Sequence, residues 1–528
     1  MNDIELAQAH YEMGMEHLQQ GLVYPALEKC NEALKLDQKL MPAYVARGLI
    51  YYQLKEYDKA FVDYNSALSI DLNQVEVYCN RGMIYQDRKD FSLAENDYKM
   101  AINVNPDFYG SYFNLGTLYL EQHRLEEAIE QFQKVIYLDQ LFFKAYFNCG
   151  IALLDLERYS EAEEAFTSSI QINPRFADGW YGLGNALHKQ GRYNEAIFNF
   201  NTAISIHPFY AKAYWNKGHS LLLQGNFEQG WKLNEWRWQA NNLPKYGKAV
   251  SKPVWLGEYS VKGKTVLVHS EQGLGDIIQF SRYIKLVKDL GATVIFELPR
   301  ELHLVLNNIP GADKLVTTSG ETPDYDYHIP LMSLPLAFKT DASNIPFATS
   351  YIQADKSKSL EWQSRIDHSR VNIGLVWEGS EKSGMYVNQR RNIPTSIISK
   401  LLDVSLLPID FYSLQKDTTN QLTDDNVFNF TKELHDFSDT AALIDNLDLV
   451  ITVDSSVAHL AGAMGKRVWL LNRFDTDWRW FNDHSSPWYQ SMTIYKQITP
   501  GDWDSVITRV KDDLVKFLVD QPTTICVT

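Results

Sequence analysis

Three short stretches of this chain hold residues whose types and spacing suit chemistry on a charged ligand. The first is SEQGLGDIIQF, Ser270 to Phe280. The apolar run TVLVHS precedes it, so Gly273 and Gly275 sit where a strand gives way to a helix and Asp276 enters the first helical turn. Three readings are open: a dinucleotide loop that lacks its third glycine, an ordinary helix cap, or a carboxylate placed to take a proton. The second stretch is LVITVDSSVAHLAGAMGKRVWLL, in which a strand ends at Asp454, Ser455 and Ser456 make the turn, and a helix begins that carries His459. The free N–H groups and positive dipole end of that helix suit a diphosphate. Asp454 or a serine acting only as a cap explains the same letters, and His459 alone reads as a satisfied core residue. The third stretch, WEGSEKSGMYVNQRRNIPTSII, leaves a strand and delivers Arg390 and Arg391 just before a Pro-started helix. Arginine forks pair with phosphate oxygens, and this pair follows a strand's carboxyl end in the same half of the chain as the DSS turn.

The elements that must hold these residues alternate strand and helix. TVLVHS (265–270), a helix over Leu274–Leu290, TVIFELP (293–299), a helix over 300–308 and KLVTT (314–318) form one set. The pattern pauses around Asp341–Arg370. A second set follows: VNIGLVW (371–377), a helix over Thr395–Leu402, DFYSLQ (410–415), a helix over Thr440–Asn446, LDLVITV (447–453), a helix over Ala458–Met464 and RVWLL (467–471). Such alternation predicts parallel sheets with crossover helices, and ligands of open α/β sheets bind beyond the carboxyl ends of the strands.

The first half follows a different rule. Glycines at positions 14, 48, 82, 116, 150, 184 and 218 recur every 34 residues, and alanines at 26, 60, 94, 128, 162 and 196 keep the same register, with Gly230 in the seventh slot. Prolines at 106, 174 and 208 close repeats. Each unit reads as helix, turn, helix, and this period resembles the tetratricopeptide repeat. Stacked helix pairs of that kind form an α-solenoid with a concave groove. Asn80, Asn114, Asn148 and Asn216 fall two residues before the glycine, on the inner helix. They form a candidate groove ladder for the backbone of an extended peptide, similar to the asparagine ladder of eukaryotic O-linked N-acetylglucosamine transferases. Asparagine is also common at this position in repeats that bind other things. The seventh repeat brings Trp231, Trp236 and Trp238 in place of small residues, as expected of a helix that caps the stack or docks on another domain.

The expected organisation is therefore a solenoid of seven repeats over 1–240, a Pro-, Gly- and Lys-rich linker over 241–263, and two Rossmann-like halves over 264–370 and 371–528. A chain of 528 residues with 45% hydrophobic and 22% charged residues is long enough for several cores. Its net charge of −16 disfavours a nucleic-acid partner. The acidic start MNDIELAQAHYEMG has no apolar h-region, and no run of about 18 apolar residues marks a membrane span. The four cysteines (Cys30, Cys79, Cys149, Cys526) form no CxxC pair, which argues against structural zinc and for a reducing, cytoplasmic setting. The tryptophans around 231–238 and 478–488 read as exposed and able to serve a contact.

GLGD after the first strand, VW-G, the RNIP box and DSSVAHLAGAMGKRVWLL together resemble the heptosyltransferase family, glycosyltransferase family 9. The likeness is greater to bacterial proteins that fuse a tetratricopeptide solenoid to such a domain, some of them implicated in glycosylating flagellins or other proteins. It spans nearly the whole chain, and DFSDTAALIDNLDLVITVDSSVAHLAGAMG is its most specific part. The resemblance implies a GT-B-like pair of Rossmann-like halves with the site between them, no cofactor and no catalytic metal, and a nucleotide-sugar donor on the second half. By motif match, Asp454, Ser455, Ser456 and Val457 form the donor-diphosphate turn, with His459 holding it or touching phosphate. Ser456 stands where the family often has glycine. The family's phosphate-steadying lysine matches Arg391, and Trp377 borders the donor. Asp276 matches the proposed catalytic base of an inverting displacement.

The expected function is a glycosyltransferase that moves a sugar from a nucleotide to a protein acceptor, with a Ser or Thr hydroxyl as target, recruited by the solenoid. The alternative is a non-catalytic repeat scaffold with a degenerate transferase domain. A dinucleotide-dependent dehydrogenase fits poorly, because the third glycine is missing and Glu297, the nearest acid at the required distance, sits at the end of the next strand.

Overall fold

The computed structural model describes residues 2–243, 252–379, 390–403, 407–416, 420–481 and 484–519 of the chain. The chain divides into two compact units, Met1–Lys189 and Gln190–Thr528.

The first unit is an α-solenoid of eleven helices, from Asp3–Gln19 to Ala177–Lys189. At four of its repeat glycines an aromatic ring sixteen residues on fills the space a Cβ would take. A Cβ on Gly48 would meet Tyr64 at 2.6 Å, on Gly82 Tyr98 at 2.6 Å, on Gly116 Phe132 at 2.7 Å, and on Gly150 Phe166 at 2.7 Å. The rings are fully buried, so each glycine–aromatic pair sets the approach of the two helices of a repeat. The repeat alanines Ala26, Ala60, Ala94, Ala128 and Ala162 are likewise inaccessible. Two repeats add a polar lock: Arg47 binds both oxygens of Asp63 and Arg81 both of Asp97, at 2.7–2.8 Å.

The second unit begins with the helices Tyr193–Ile206, Ala211–Leu223, Phe227–Asn234 and Arg237–Ala240. The unit boundary after Lys189 therefore falls inside the run that the 34-residue period assigns to the solenoid. Its cause is the exchange of small for large residues. Trp231 is buried in the same core as the sheets, and its indole N–H donates to the Thr340 carbonyl at 2.9 Å.

Two all-parallel sheets follow. The first holds β1 (Thr265–His269), β2 (Thr293–Leu298), β3 (Lys314–Thr317) and β4 (Tyr327–Pro330) in the order β3-β2-β1-β4. Register runs from Thr265 opposite Thr293 to His269 opposite Glu297. The second sheet holds β5 (Val371–Val376), β6 (Ile409–Ser413), β7 (Val427–Asn429), β8 (Leu449–Val453), β9 (Val468–Asn472) and β10 (Met492–Lys496). Their order is β10-β9-β8-β5-β6-β7. The chain winds outward from β5 through β6 to β7, then returns to β8 and winds the other way. This is the doubly wound order, with its switch point between β5 and β8, where ligands of such sheets bind.

Several elements differ from the sequence expectation. The 274–290 helix is broken into Leu274–Phe280 and Ile284–Asp289 by a 3₁₀ turn, and 300–308 holds only a 3₁₀ turn, Arg300–Leu302, among its regular elements. The apparent pause at 341–370 contains a helix, Lys356–Gln363, capped by Asp355. β4, β7, β10 and the helix Trp503–Val519 were not anticipated. The tryptophans read as exposed are not: Trp231, Trp238, Trp478, Trp480 and Trp488 are all buried, and Trp236 is half-buried. Among the described residues, no helix is long and apolar enough to cross a membrane.

Candidate functional site

The switch point of the second sheet carries the DSS turn. β8 ends at Val453, and Ser455 is the N-cap of the helix Ser456–Ala463. The Ser455 hydroxyl accepts from the Ala458 amide at 3.4 Å and lies 3.0 Å from the Thr452 hydroxyl. Ser455 thus does the capping, and the Ser456 and Val457 amides, first and second in the helix, have no intrahelical acceptor. Arg391 reaches this turn from the RNIP box. Its Nη1 donates to the Asp454 carbonyl at 2.7 Å and lies 3.9 Å from the Asp454 carboxylate. The box itself folds under the end of β5: the Asn392 side chain accepts from the Gly379 amide at 2.8 Å, and the Ile393 amide donates to the Trp377 carbonyl at 2.9 Å. Trp377 is 1% exposed, and its indole N–H meets no acceptor among the described residues. The polar part of the loop, 380–389, lies outside the described residues.

The facing wall comes from the first sheet. β1 ends at His269, Gln272 takes a left-handed conformation (φ 59°), and Gly273 caps the helix Leu274–Phe280. Asp276 Oδ2 accepts from the Gly273 amide at 3.0 Å, closing the turn on itself. The loop is anchored from below by Glu271, whose two oxygens accept from Arg237 Nε and Nη2 at 2.8 Å each, and Glu271 also accepts from the Met332 amide at 3.0 Å. Burial pushes the Glu271 carboxyl up, against the pull of Arg237.

The two walls touch at Gly275. A Cβ there would lie 2.7 Å from His459 Cδ2 and 3.5 Å from Ser456 Cα. Glycine at 275 is therefore a matter of space, and the GLGD turn and the DSS turn are brought together. His459 is buried with its ring stacked on Trp480 at 4.8 Å, and its Nδ1 lies 3.0 Å from the Tyr489 hydroxyl. Burial, reinforced by Arg479 and Arg282, drives its pKa down to about 3. The imidazole is neutral and fixed among Trp480, Tyr489 and Gly275.

Asp276 has a partner that the sequence reading missed. Arg479 Nη2 donates to Asp276 Oδ1 in a close ion pair, while Nη1 and the backbone amide of Arg479 donate to Asp477 Oδ1 at 2.8 and 3.0 Å. Burial raises the pKa of Asp276, and Arg479 and the Gly273 amide hold the shift in check. For Asp477, burial works the same way but the Arg479 contacts win, and its pKa falls below the ordinary value. Arg282 is a second missed cation. It is buried, donates to the carbonyls of Gln279 (2.7 Å) and Trp488 (2.8 Å), and lies over the rings of Tyr351 and Tyr489 at 4.7 and 4.8 Å. Arg479 and the Arg237 of the anchoring pair share a signal, an arginine between two tryptophans in DTDWRWF and EWRW, whereas Arg282 stands in FSRY without it.

Asn80, Asn114 and Asn148 are half-buried on the helices Val75–Asp87, Tyr109–Glu121 and Phe143–Asp155 of the first unit. Asn216 is half-buried on Ala211–Leu223 in the second unit, so the four are divided between units.

Known proteins match the two regions separately. Residues 48–88 and 184–225 match a TPR repeat family, and 75–108, 97–130 and 149–204 match tetratricopeptide repeat families. Residues 433–477 match Glycosyltransferase family 9 (heptosyltransferase), a segment that includes the DSS turn and ends short of Arg479. Protein FlbA of Caulobacter vibrioides is 22% identical over 318 residues, covering 55% of this chain and 52% of FlbA. The chain thus spans about half the length of that curated relative. Among solved structures, Pseudomonas aeruginosa PilF has a TM-score of 0.37 at 19% identity over 40% of this chain and 96% of its own. YrrB, a TPR protein with an unusual peptide-binding site, has a TM-score of 0.32 at 20% identity over 36% of this chain and 97% of its own. The chain joins tetratricopeptide repeats to an α/β region whose DSS segment matches Glycosyltransferase family 9 (heptosyltransferase).

Proposed function

We propose that the protein is a glycosyltransferase that moves a sugar from a nucleoside diphosphate to a hydroxyl of a protein acceptor recruited by the repeats. The observation that carries this reading is the contact at Gly275, which sets Asp276 beside the Asp454–His459 turn. In this reading the donor diphosphate lies on the Ser455, Ser456 and Val457 amides, with Arg391 beside it and Trp377 under the strand end. The acceptor oxygen forms a bond to the anomeric carbon as the carbon–phosphate oxygen bond breaks. Asp276 takes the hydroxyl proton, and the nucleoside diphosphate leaves with the electron pair. The growing charge on the leaving group is met by helix N–H groups and an arginine. This division of labour needs no metal. The transfer is a single displacement with inversion, and Asn80, Asn114 and Asn148 of the first unit hold acceptor backbone. The family 9 segment supports the class of reaction, and the polar turn at the sheet's switch point supports the place. The test is release of nucleoside diphosphate from UDP-N-acetylglucosamine, ADP-glucose and ADP-heptose by the wild-type chain and by Arg391→Ala. A loss of donor affinity in the variant is expected, and unchanged affinity contradicts the donor assignment.

A further inference from the structure

We infer that Arg479 is the positioning residue of Asp276, holding its carboxylate ionised and fixed in place from a platform of Trp478, Trp488 and, from the last repeat, Trp231. The inference rests on the reading of Asp276 as the base.

The platform can be followed ring by ring. Trp231 is fixed by its hydrogen bond to the Thr340 carbonyl and packs edge-on to Trp478, with centroids 5.3 Å apart at 85°. Trp478 is also held by Trp488 at 6.3 Å and 77°. The Arg479 guanidinium lies over Trp478, 4.3 Å from its centroid. All three tryptophans are buried, so the guanidinium rests on a surface without freedom to move. From there Nη2 goes to Asp276 and Nη1 to Asp477, while the buried Nε meets no acceptor among the described residues. Two carboxylates, and not a full set of hydrogen bonds, set the orientation of this fork.

The arrangement leaves Asp276 able to work. One oxygen accepts from Arg479 and the other from the Gly273 amide, and each keeps a second lone pair for an incoming hydroxyl. Because Asp477 shares the same guanidinium, Arg479 is not committed to Asp276 alone. The other charged and titratable groups gathered here are Arg282 and Arg391, which act on neutral His459, Asp454, which acts on Arg479, and His219, which acts on Asp477. Arg479 lies within electrostatic reach of His459 and Asp454. A purely structural arginine at a domain contact would satisfy carbonyls, as Arg282 does. Arg479 instead spends its bonds on two acids.

The direct test is a carboxyl titration of the full-length chain carrying aspartate labelled with carbon-13 at Cγ, with the Asp276 resonance assigned by its loss in Asp276→Asn. Arg479→Gln is expected to raise the Asp276 midpoint by about 1 pH unit or more, the usual effect of removing an adjacent opposite charge. Arg479→Lys should restore most of that. Asp477→Asn removes a like charge and frees the guanidinium, so it should move the midpoint down. A midpoint that stays put in Arg479→Gln, or does not fall in Asp477→Asn, overturns the inference, and the second variant serves where the first does not fold. In nucleoside diphosphate release, Arg479→Gln should lose kcat with an unchanged donor KM and shift the acidic limb of the pH profile upward. An unmoved limb overturns the positioning role. Undiminished release by Asp276→Asn overturns the base reading alone and leaves the titration to judge the pair.

Discussion

Glu271 and Arg237 form a buried bidentate ion pair that ties the helix after the last repeat to the loop carrying Asp276. Arg237 is 1% exposed and its remaining Nη1 goes to Glu235 at 2.7 Å, so no water competes for the fork. Removing one partner of such a pair strands the other charge. Arg237→Ala is expected to destabilise the chain by about 3–5 kcal/mol in chemical denaturation. A loss below about 1 kcal/mol would place the pair with ordinary surface ion pairs and contradict its anchoring role.

Gly275 and Gly273 make predictions of different size although they are two residues apart. A methyl group on Gly275 meets His459 Cδ2 at 2.7 Å, whereas one on Gly273 meets only Asp276 Oδ2 at 3.4 Å. Gly275→Ala should cost about 1–3 kcal/mol by overpacking and weaken nucleoside diphosphate binding through the displaced turn. Gly273→Ala should cost less, because its contact is of ordinary length. Calorimetry with UDP and ADP on both variants separates them, and equal behaviour contradicts the close approach.

In the repeats, Gly116→Ala should cost about 1–3 kcal/mol because Phe132 occupies the space. Phe132→Leu in the same chain should recover part of that loss, the sign of coupling between touching residues. Additive losses in thermal denaturation would show that the ring does not set the helix approach.

His459 gives a pH dependence with a definite sign. Its folded pKa, near 3, lies below the ordinary 6.5, so above about pH 6.5 it contributes nothing to the pH dependence. As pH falls below that value the unfolded chain gains a proton that the folded chain refuses. The contribution to stability drops by about 1.4 kcal/mol per pH unit. Urea denaturation at pH 7.5 and 5.5 should therefore show a smaller loss on acidification in His459→Gln than in wild type. Identical losses would mean that the imidazole is not held neutral.

Much of this was legible in the residues, for reasons that differ by region. The glycine–alanine period is readable because the glycines at 48, 82, 116 and 150 each answer a fixed ring sixteen positions on. The strands at 265, 293, 371, 409, 449 and 468 are readable because parallel strands buried on both faces are near-continuous apolar runs. β4 was hidden by its polar-looking YHIP, and the helix Lys356–Gln363 by having almost no apolar face. GLGD and DSSVAH pointed to one place, and the geometry joins them at Gly275. Arg479, Arg282 and the Arg237–Glu271 pair stayed hidden because their partners are far along the chain: Asp276 and Arg479 are 203 residues apart. The two Trp-Arg-Trp triplets looked like exposed contacts, while in the fold the tryptophans bury the arginines between them.

In the proposed transfer Asp276 takes a proton while the donor sits on the DSS turn. This step is tested most directly by comparing wild type and Asp276→Asn in nucleoside diphosphate binding and in release from the nucleotide-sugar that wild type turns over. Unchanged binding is expected with turnover lowered about 10²–10⁴-fold, the range for loss of a general base. Turnover at the wild-type rate in a folded, donor-binding Asp276→Asn would contradict it.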